Sequence, residues 1–420
     1  MALVFDNRHS LQGSAGIHAL IAGVSHYTHL PGGGGPPATE QWDLPQLSAT
    51  ALTGYKIYRW LIEHRKELPK PIATVRLLLS PSAAEEPKIA QGMTEIREAL
   101  KDEPVILSDT PSRCTLDVFA REAGHWKTDA ISDAHDEHVT FFYFAGHGIQ
   151  RKNNDPVLLV EDFGNPDWNN PVARTVAFNA LFEGMAPPSN SQRKIARTQL
   201  YFVDACRVRP EDLNRYSFPN MGDILGVELG GEDRRSAPIF YATVSNTKAY
   251  AKSGEQTLFS EALIDCLNGD ACASTKVTDS SGYAKYHVSI YSLATKLNEK
   301  AVATRAMDLD QEFYSIPIGP DETIVTFPKP PEVECALYID PETAAQLVSI
   351  DVRDAAGASV NDWNLTSVKP HPFRKPLRVG IYSLQARITQ PPHPLYVDPP
   401  QQLIDVVPQK EFQLKARMIK

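Results

Sequence analysis

Residues 139 to 146 read VTFFYFAG, eight positions without a charge. A strand with one wet face alternates apolar and polar residues. A run that is apolar nearly throughout must be covered on both faces. Similar runs recur through the first 328 residues: GIHALIAGV (16–24), ATVRLLLS (73–80), PVLLVE (156–161), RTQLYFVDAC (197–206) and PIFYATV (238–244). Segments of helical period lie between them. In 44–68, Leu47, Ala51, Ile57, Tyr58, Leu61 and Ile62 share a face, and Pro69 follows. Further helices are expected around 93–101, 115–131, 256–268 and 288–303. The alternation predicts an α/β domain over 1–328, a mostly parallel sheet of about six strands with helices on both faces. Ligands of such sheets gather at the carboxyl ends of the strands.

FPKPPE (327–332) reads as a linker. Beyond it the helical period stops. ECALYIDP, QLVSIDVRD, PLRVGIYSLQARI, QQLIDVVP and EFQLKARM are short strand-like runs separated by Pro, Asn, Asp and Gly. They predict a small all-β accessory domain over 331–420, sandwich-like in kind.

A net charge of -9 disfavours a partner such as duplex nucleic acid, which needs a basic face. No apolar run reaches the length of a membrane span. The opening MALVFDNRHSLQGSAG lacks a basic head followed by a long apolar stretch, so no signal peptide and a cytoplasmic location are expected. Cys114, Cys206, Cys266, Cys272 and Cys335 are odd in number and scattered, without zinc spacing, which fits reduced thiols and no structural metal.

Two strand-like runs end in reactive side chains. FFYFAGHG delivers His147 and LYFVDACR delivers Cys206, 59 residues later. In a parallel sheet both arrive at one edge. A thiolate attacks carbonyl carbon, and an imidazole beside it takes the thiol proton and returns it to a leaving amine. Gly148 permits close backbone approach, so the amides of Gly148 and Cys206 are candidates for an oxyanion hole. Taken singly, a strand-end His or a buried Cys is usually structural. It is their order and joint placement that point to catalysis.

YFAGHG followed by DACR resembles the caspase-like cysteine peptidases, in particular bacterial caspase homologues related to metacaspases. HALIAGVSHY, LPQLSATAL, PVLLVEDF and the stretch 241–267 extend the likeness over roughly 14–325. The resemblance implies a caspase–haemoglobinase fold, with His147 as general base and Cys206 as nucleophile. It implies no cofactor, while leaving calcium open on Glu161, Asp162 and Asp167. It also implies a protein or peptide substrate.

Asp204 stands where animal caspases carry glutamine and metacaspase relatives carry aspartate. A carboxylate there would attract an Arg or Lys at P1, the residue whose carbonyl is attacked. Two positions depart from the relatives: Thr53 stands where an Asp is frequent, and Ala145 where a Ser is. A role in bacterial stress or anti-phage defence is implied by resemblance alone. The alternatives are a caspase-fold scaffold that binds without turnover, and an acyl transferase or other thiol hydrolase using the same dyad.

The segment 207–237 carries Arg207, Arg209, Arg215, Arg234 and Arg235, and the resemblance makes it a candidate for self-cleavage. HDEH (135–138) reads as a solvated turn rather than a metal site. PGGGGPP (31–37) lacks the Lys-Ser/Thr of a phosphate loop and reads as a mobile loop near the active edge. The 331–420 domain is a candidate docking point for an activator or partner.

Overall fold

The computed structural model describes residues 2–108, 110–152, 155–189, 193–216, 225–226, 232–244, 249, 254–272, 277–278, 284–305, 311–316, 318–390, 392–407 and 411–418. Two compact units divide the chain. One is Met1–Ile264 with Ala294–Glu322; the other is Asp265–Leu293 with Thr323–Lys420. This differs from a single cut at 328–331. Ala284–Ser289 pairs antiparallel with Thr323–Phe327, Tyr286 opposite Phe327, and so ties the earlier segment to the later one.

Among the described residues, eight strands form the sheet of the first unit. Their order is Tyr314–Ile316, Ile239–Tyr241, Thr198–Ala205, Val139–Gly146, Ile17–Val24, Ile72–Ser80, Leu3–Asp6 and Ile106–Leu107. The run from Ile239–Tyr241 to Ile72–Ser80 is parallel. The strands outside it are antiparallel. This is the mostly parallel sheet of the expected caspase–haemoglobinase class, extended by short edge strands that the apolar runs did not announce.

Every residue of Val139–Gly146 is buried. Helices cover both faces. Phe119 and Trp126, from helix Leu116–Asp129, pack with Leu20, Phe142, Phe144 and Tyr201 on one side. Helix Thr50–Glu63 lies against the other, so close that a Cβ on Gly23 would sit 2.6 Å from Thr50 O. Each fully buried Phe contributes about 1.5–3 kcal/mol of transfer free energy, which is why the run tolerates no wet face.

One expected central strand lies elsewhere. PVLLVE corresponds to Asp155–Leu159, which joins a separate antiparallel sheet with Gly148–Lys152 and Thr175–Ala177. Its residues are buried, as their apolarity demands. Apolarity reports burial and not which sheet supplies it. The glycine loop also departs from expectation: Gly33 N–H bonds Leu30 O, Gly35 N–H bonds Thr28 O and Ala38 N–H bonds His29 O. A Cβ on Gly33 would lie 2.0 Å from Tyr27 O, so these glycines serve a packed turn.

In the second unit, two three-stranded sheets are built from the runs after 331. One is Phe373–Arg378, Glu332–Asp340 and Glu411–Arg417; the other is Val348–Asp354, Gly380–Ile388 and Gln402–Val406. Their inward residues close on Trp363, with Val333, Leu337, Val352, Leu384 and Leu414. The run PLRVGIYSLQARI thus feeds both sheets. Gly380, at φ +154°, stands at the start of the second strand where the chain changes sheet.

Candidate active site

The parallel strands carry their carboxyl ends to one edge. Thr198–Ala205 and Val139–Gly146 pair in register up to Ala205 opposite Gly146. Cys206 and His147 are the next residues of the two chains. Gly148 follows directly: a Cβ there would fall 2.5 Å from Cys206 O and 2.9 Å from Ala205 Cβ. The backbones approach too closely for any side chain. A Cβ on Gly146 would lie 2.9 Å from Tyr27 Oη. Each glycine beside His147 therefore clears a particular contact.

His147 is 5% exposed. Its backbone N–H donates to Tyr27 Oη at 2.7 Å, and the two rings lie 4.9 Å apart. Its Nε2 sits 2.7 Å from Pro45 O. A carbonyl only accepts, so Nε2 carries the hydrogen and Nδ1 of the neutral ring keeps its lone pair. Burial holds the imidazole pKa below its ordinary value, and the Pro45 carbonyl opposes that shift. At neutral pH the ring is an uncharged base. Neither Tyr27 nor Pro45 was singled out from the sequence. Their only trace there is that Pro45 closes the approach to helix Thr50–Glu63 and Tyr27 follows the first buried strand.

Cys206 is half-buried and outside any disulfide. The amide of Ala249 points at its sulfur, N to Sγ 3.2 Å.

Asp204 lies two residues before Cys206 and opposite Ala145. It is 1% exposed. Its Oδ2 accepts from Tyr143 Oη at 2.7 Å and from Thr257 Oγ1. Its Oδ1 is buried with no hydrogen-bond partner among the described residues. Burial raises its pKa to about 6, against the two hydroxyls, which pull it down. Thr257 is held in turn: its N–H donates to Thr53 Oγ1 at 3.1 Å and its Oγ1 accepts from Ser260 N–H at 3.2 Å. Ala145 is thus paired with Asp204 and Thr53 is linked to it through Thr257, and neither adds a second charge.

The acids considered for calcium stand apart from this. Glu161 accepts from Arg113 Nε at 2.8 Å and Ser80 Oγ at 2.7 Å on one oxygen, and from Arg113 Nη2 at 2.7 Å on the other. Asp162 pairs with Arg174 and accepts from Leu116 N–H at 2.9 Å. Asp167 is exposed. Among the described residues no three His, Cys, Asp or Glu side chains are placed to hold a metal ion. In HDEH, His138 is not solvated: it is 9% exposed, with Nδ1 accepting from Gly16 N–H at 3.1 Å.

Of the arginines in 207–237, Arg207 and Arg235 are buried, stacked on Tyr241 and Phe182. Arg209, Arg215 and Arg234 are exposed. Residues 217–224 and 227–231 of that segment lie outside the described ones.

The family model described as the caspase domain matches residues 115–311. Residues 115–311 are thus similar to a caspase domain. That match takes in His147, Cys206, Asp204 and Thr257, and leaves Tyr27, Pro45 and Thr53 outside it. The protein y4kE of Sinorhizobium fredii is 30% identical over 128 residues, 30% of this chain and 35% of that one. A protein named probable protease from a Desulfuromonadales bacterium is 22% identical over 253 residues, 55% of this chain and 28% of that one. The matches span about a third of the length of these curated relatives.

Among solved structures, caspase-1 of Spodoptera frugiperda is similar at TM-score 0.35 and 13% identity, over 75% of this chain and 93% of that one. A Geobacter sulfurreducens protein is similar at TM-score 0.38 and 14% identity, over 73% and 95%. Among the described residues no helix is long and apolar enough to cross a membrane.

Proposed function

We propose that the caspase-like domain is a cysteine endopeptidase cleaving after Arg or Lys. His147 Nδ1 takes the proton of the Cys206 thiol, and the thiolate attacks the P1 carbonyl carbon. The oxyanion is met by the amides of Gly148 and Cys206. His147 then gives its proton to the leaving amine. A thioester remains on Cys206, and water activated by the same imidazole hydrolyses it. Asp204 attracts the P1 cation. The observation that carries this reading is the register that ends two adjacent parallel strands at His147 and Cys206, with Gly148 pressed against the Cys206 backbone.

The same reading makes Arg209, Arg215 and Arg234 the candidate self-cleavage points. Arg207 and Arg235 are too buried to enter an active site from the folded state. An activator or partner docking on the second unit, and a place in bacterial stress or anti-phage defence, complete the proposal; both rest on the resemblance.

The test uses fluorogenic peptides with Arg, Lys or Asp at P1, given to the wild type and to Cys206→Ala. Turnover of the basic substrates that disappears in Cys206→Ala is expected. Turnover of the Asp substrate alone would overturn the role given to Asp204. Equal signal from both proteins would overturn the nucleophile.

A further inference from the structure

An ionised carboxylate offers about four lone-pair sites, two on each oxygen. In Asp204 these sites are unevenly used. Oδ2 accepts two hydroxyl hydrogens, from Tyr143 and from Thr257. Among the described residues Oδ1 accepts none, although it is buried. A buried acceptor without a donor is costly, and an unmatched carboxylate oxygen more so. It marks where a donor belongs.

The donor's shape follows from the occupied oxygen. A guanidinium bonds a carboxylate best as a fork, one N–H to each oxygen. Here one tine of the fork meets an oxygen already filled by two hydroxyls. An arginine would bond Oδ1 end-on and bring further N–H donors into a buried space with one carboxylate. Ala145, opposite Asp204, offers no acceptor side chain.

A lysine ammonium is a compact charge with three donors and needs no second carboxylate oxygen. Two further hydroxyl oxygens belong to the described network: Tyr143 Oη, whose hydrogen is committed to Oδ2, and Thr53 Oγ1, which accepts Thr257 N–H. Hydroxyl oxygens beside one carboxylate oxygen that has no described donor suit a point donor better than a planar fork.

The arrangement is itself braced. Thr257 Oγ1 accepts Ser260 N–H and stands just before helix Leu258–Asp265, as an N-cap does. Its one hydroxyl hydrogen is thereby turned toward Asp204. Thr257 is a positioning residue that keeps Oδ2 filled.

Resting on the proposed peptidase reading, we infer that this pocket selects lysine over arginine at P1, with Asp204 Oδ1 as the acceptor and the hydroxyls of Tyr143 and Thr257 as the elements that exclude the guanidinium fork.

The experiment compares kcat/KM for paired peptides that differ only in Lys or Arg at P1, with Cys206→Ala as the blank. Lys is expected to exceed Arg by roughly tenfold, the size of one charge-assisted hydrogen bond. Thr257→Val removes the hydroxyl while keeping the volume, frees one site on Oδ2, and moves the ratio toward Arg. Thr257→Ser restores the hydroxyl and the wild-type ratio. Because the readout is a ratio within one protein preparation, partial unfolding of a variant does not shift it.

Arg equal to or better than Lys in the wild type overturns this inference and leaves a basic-P1 peptidase standing. A ratio that Thr257→Val does not move overturns the role of the filled oxygen. Absence of Cys206-dependent turnover with both peptides overturns the peptidase reading and this inference with it.

Discussion

Two buried acids of the caspase-like unit, Glu161 and Asp204, lie 43 residues apart in sequence and face opposite circumstances. Glu161 is 8% exposed and meets Arg113 with both oxygens, with Ser80 as a further donor. Its charge is cancelled inside the fold. Asp204 is 1% exposed and, among the described residues, meets only hydroxyls, with one oxygen unmatched. Both were singled out from the sequence for their charge, Glu161 for calcium and Asp204 for a substrate cation. The difference between them is the arginine. An acid buried with its cation is a structural brace, and its removal costs stability before it touches chemistry. An acid buried without one is destabilised in the empty state and relieved by whatever cation arrives.

The largest effect that can break this contrast is at Asp204. Asp204→Asn keeps the shape and removes the charge, so kcat/KM for a lysine peptide is expected to fall about 10²–10³-fold, as for loss of one partner of a buried ion pair. Tm is expected to hold or rise, since the fold no longer buries a half-satisfied carboxylate. A large drop in Tm with little change in kcat/KM would make Asp204 a brace like Glu161.

The pH profile carries the same information. Burial raises the Asp204 carboxyl to about 6. Above that pH it is charged and attracts the cation; as pH falls through it, the carboxyl protonates and the attraction is lost. kcat/KM reports groups of the free enzyme, so its acid limb should fall near pH 6 with a lysine peptide. In Asp204→Asn that limb disappears. What remains is the lower limb of His147, whose pKa burial holds below the ordinary histidine value.

Glu161→Gln is the complement. It removes the charge partner of Arg113 and is expected to cost about 1–2 kcal/mol of stability, read as a lower urea midpoint. Arg113 is half-exposed and recovers hydration, which limits the loss. The Lys-to-Arg ratio should be unchanged. A shift in that ratio would mean that Glu161 and Asp204 belong to one electrostatic site.

What the sequence disclosed follows the range of the interactions. Ile17–Val24, Val139–Gly146 and Thr198–Ala205 are legible because fully buried strands must be apolar along their length. Leu3–Asp6 is too short to carry a period, and its place is set by pairing with Ile72–Ser80. His147, Cys206 and Asp204 are legible as candidate reactive groups at strand ends. Their supports are not: Pro45 meets His147 across 102 positions through a carbonyl that every residue owns. Thr257 reaches Asp204 across 53 positions through a common hydroxyl. A backbone atom or a threonine carries no compositional signal, so only coordinates can assign it.

The smallest expected effect lies at Tyr27, which separates holding the base from being the base. Its hydroxyl accepts His147 N–H at 2.7 Å and lies 3.4 Å from Leu159 O, to which it donates, while its ring packs on the imidazole. Tyr27→Phe keeps the ring and leaves the His147 amide without its acceptor. The missing bond costs about 1 kcal/mol of stability. It also lets the strand end drift, and misplacement of a base acts on the chemical step rather than on substrate affinity. kcat is therefore expected to fall several-fold, up to about tenfold, with KM and the Lys-to-Arg ratio unchanged, because Asp204 lies on the neighbouring strand and keeps its own hydroxyls. A change in the ratio with constant kcat would instead place Tyr27 on the side of the pocket, and the division between the base held by Tyr27 and Pro45 and the acid held by Tyr143 and Thr257 would fail.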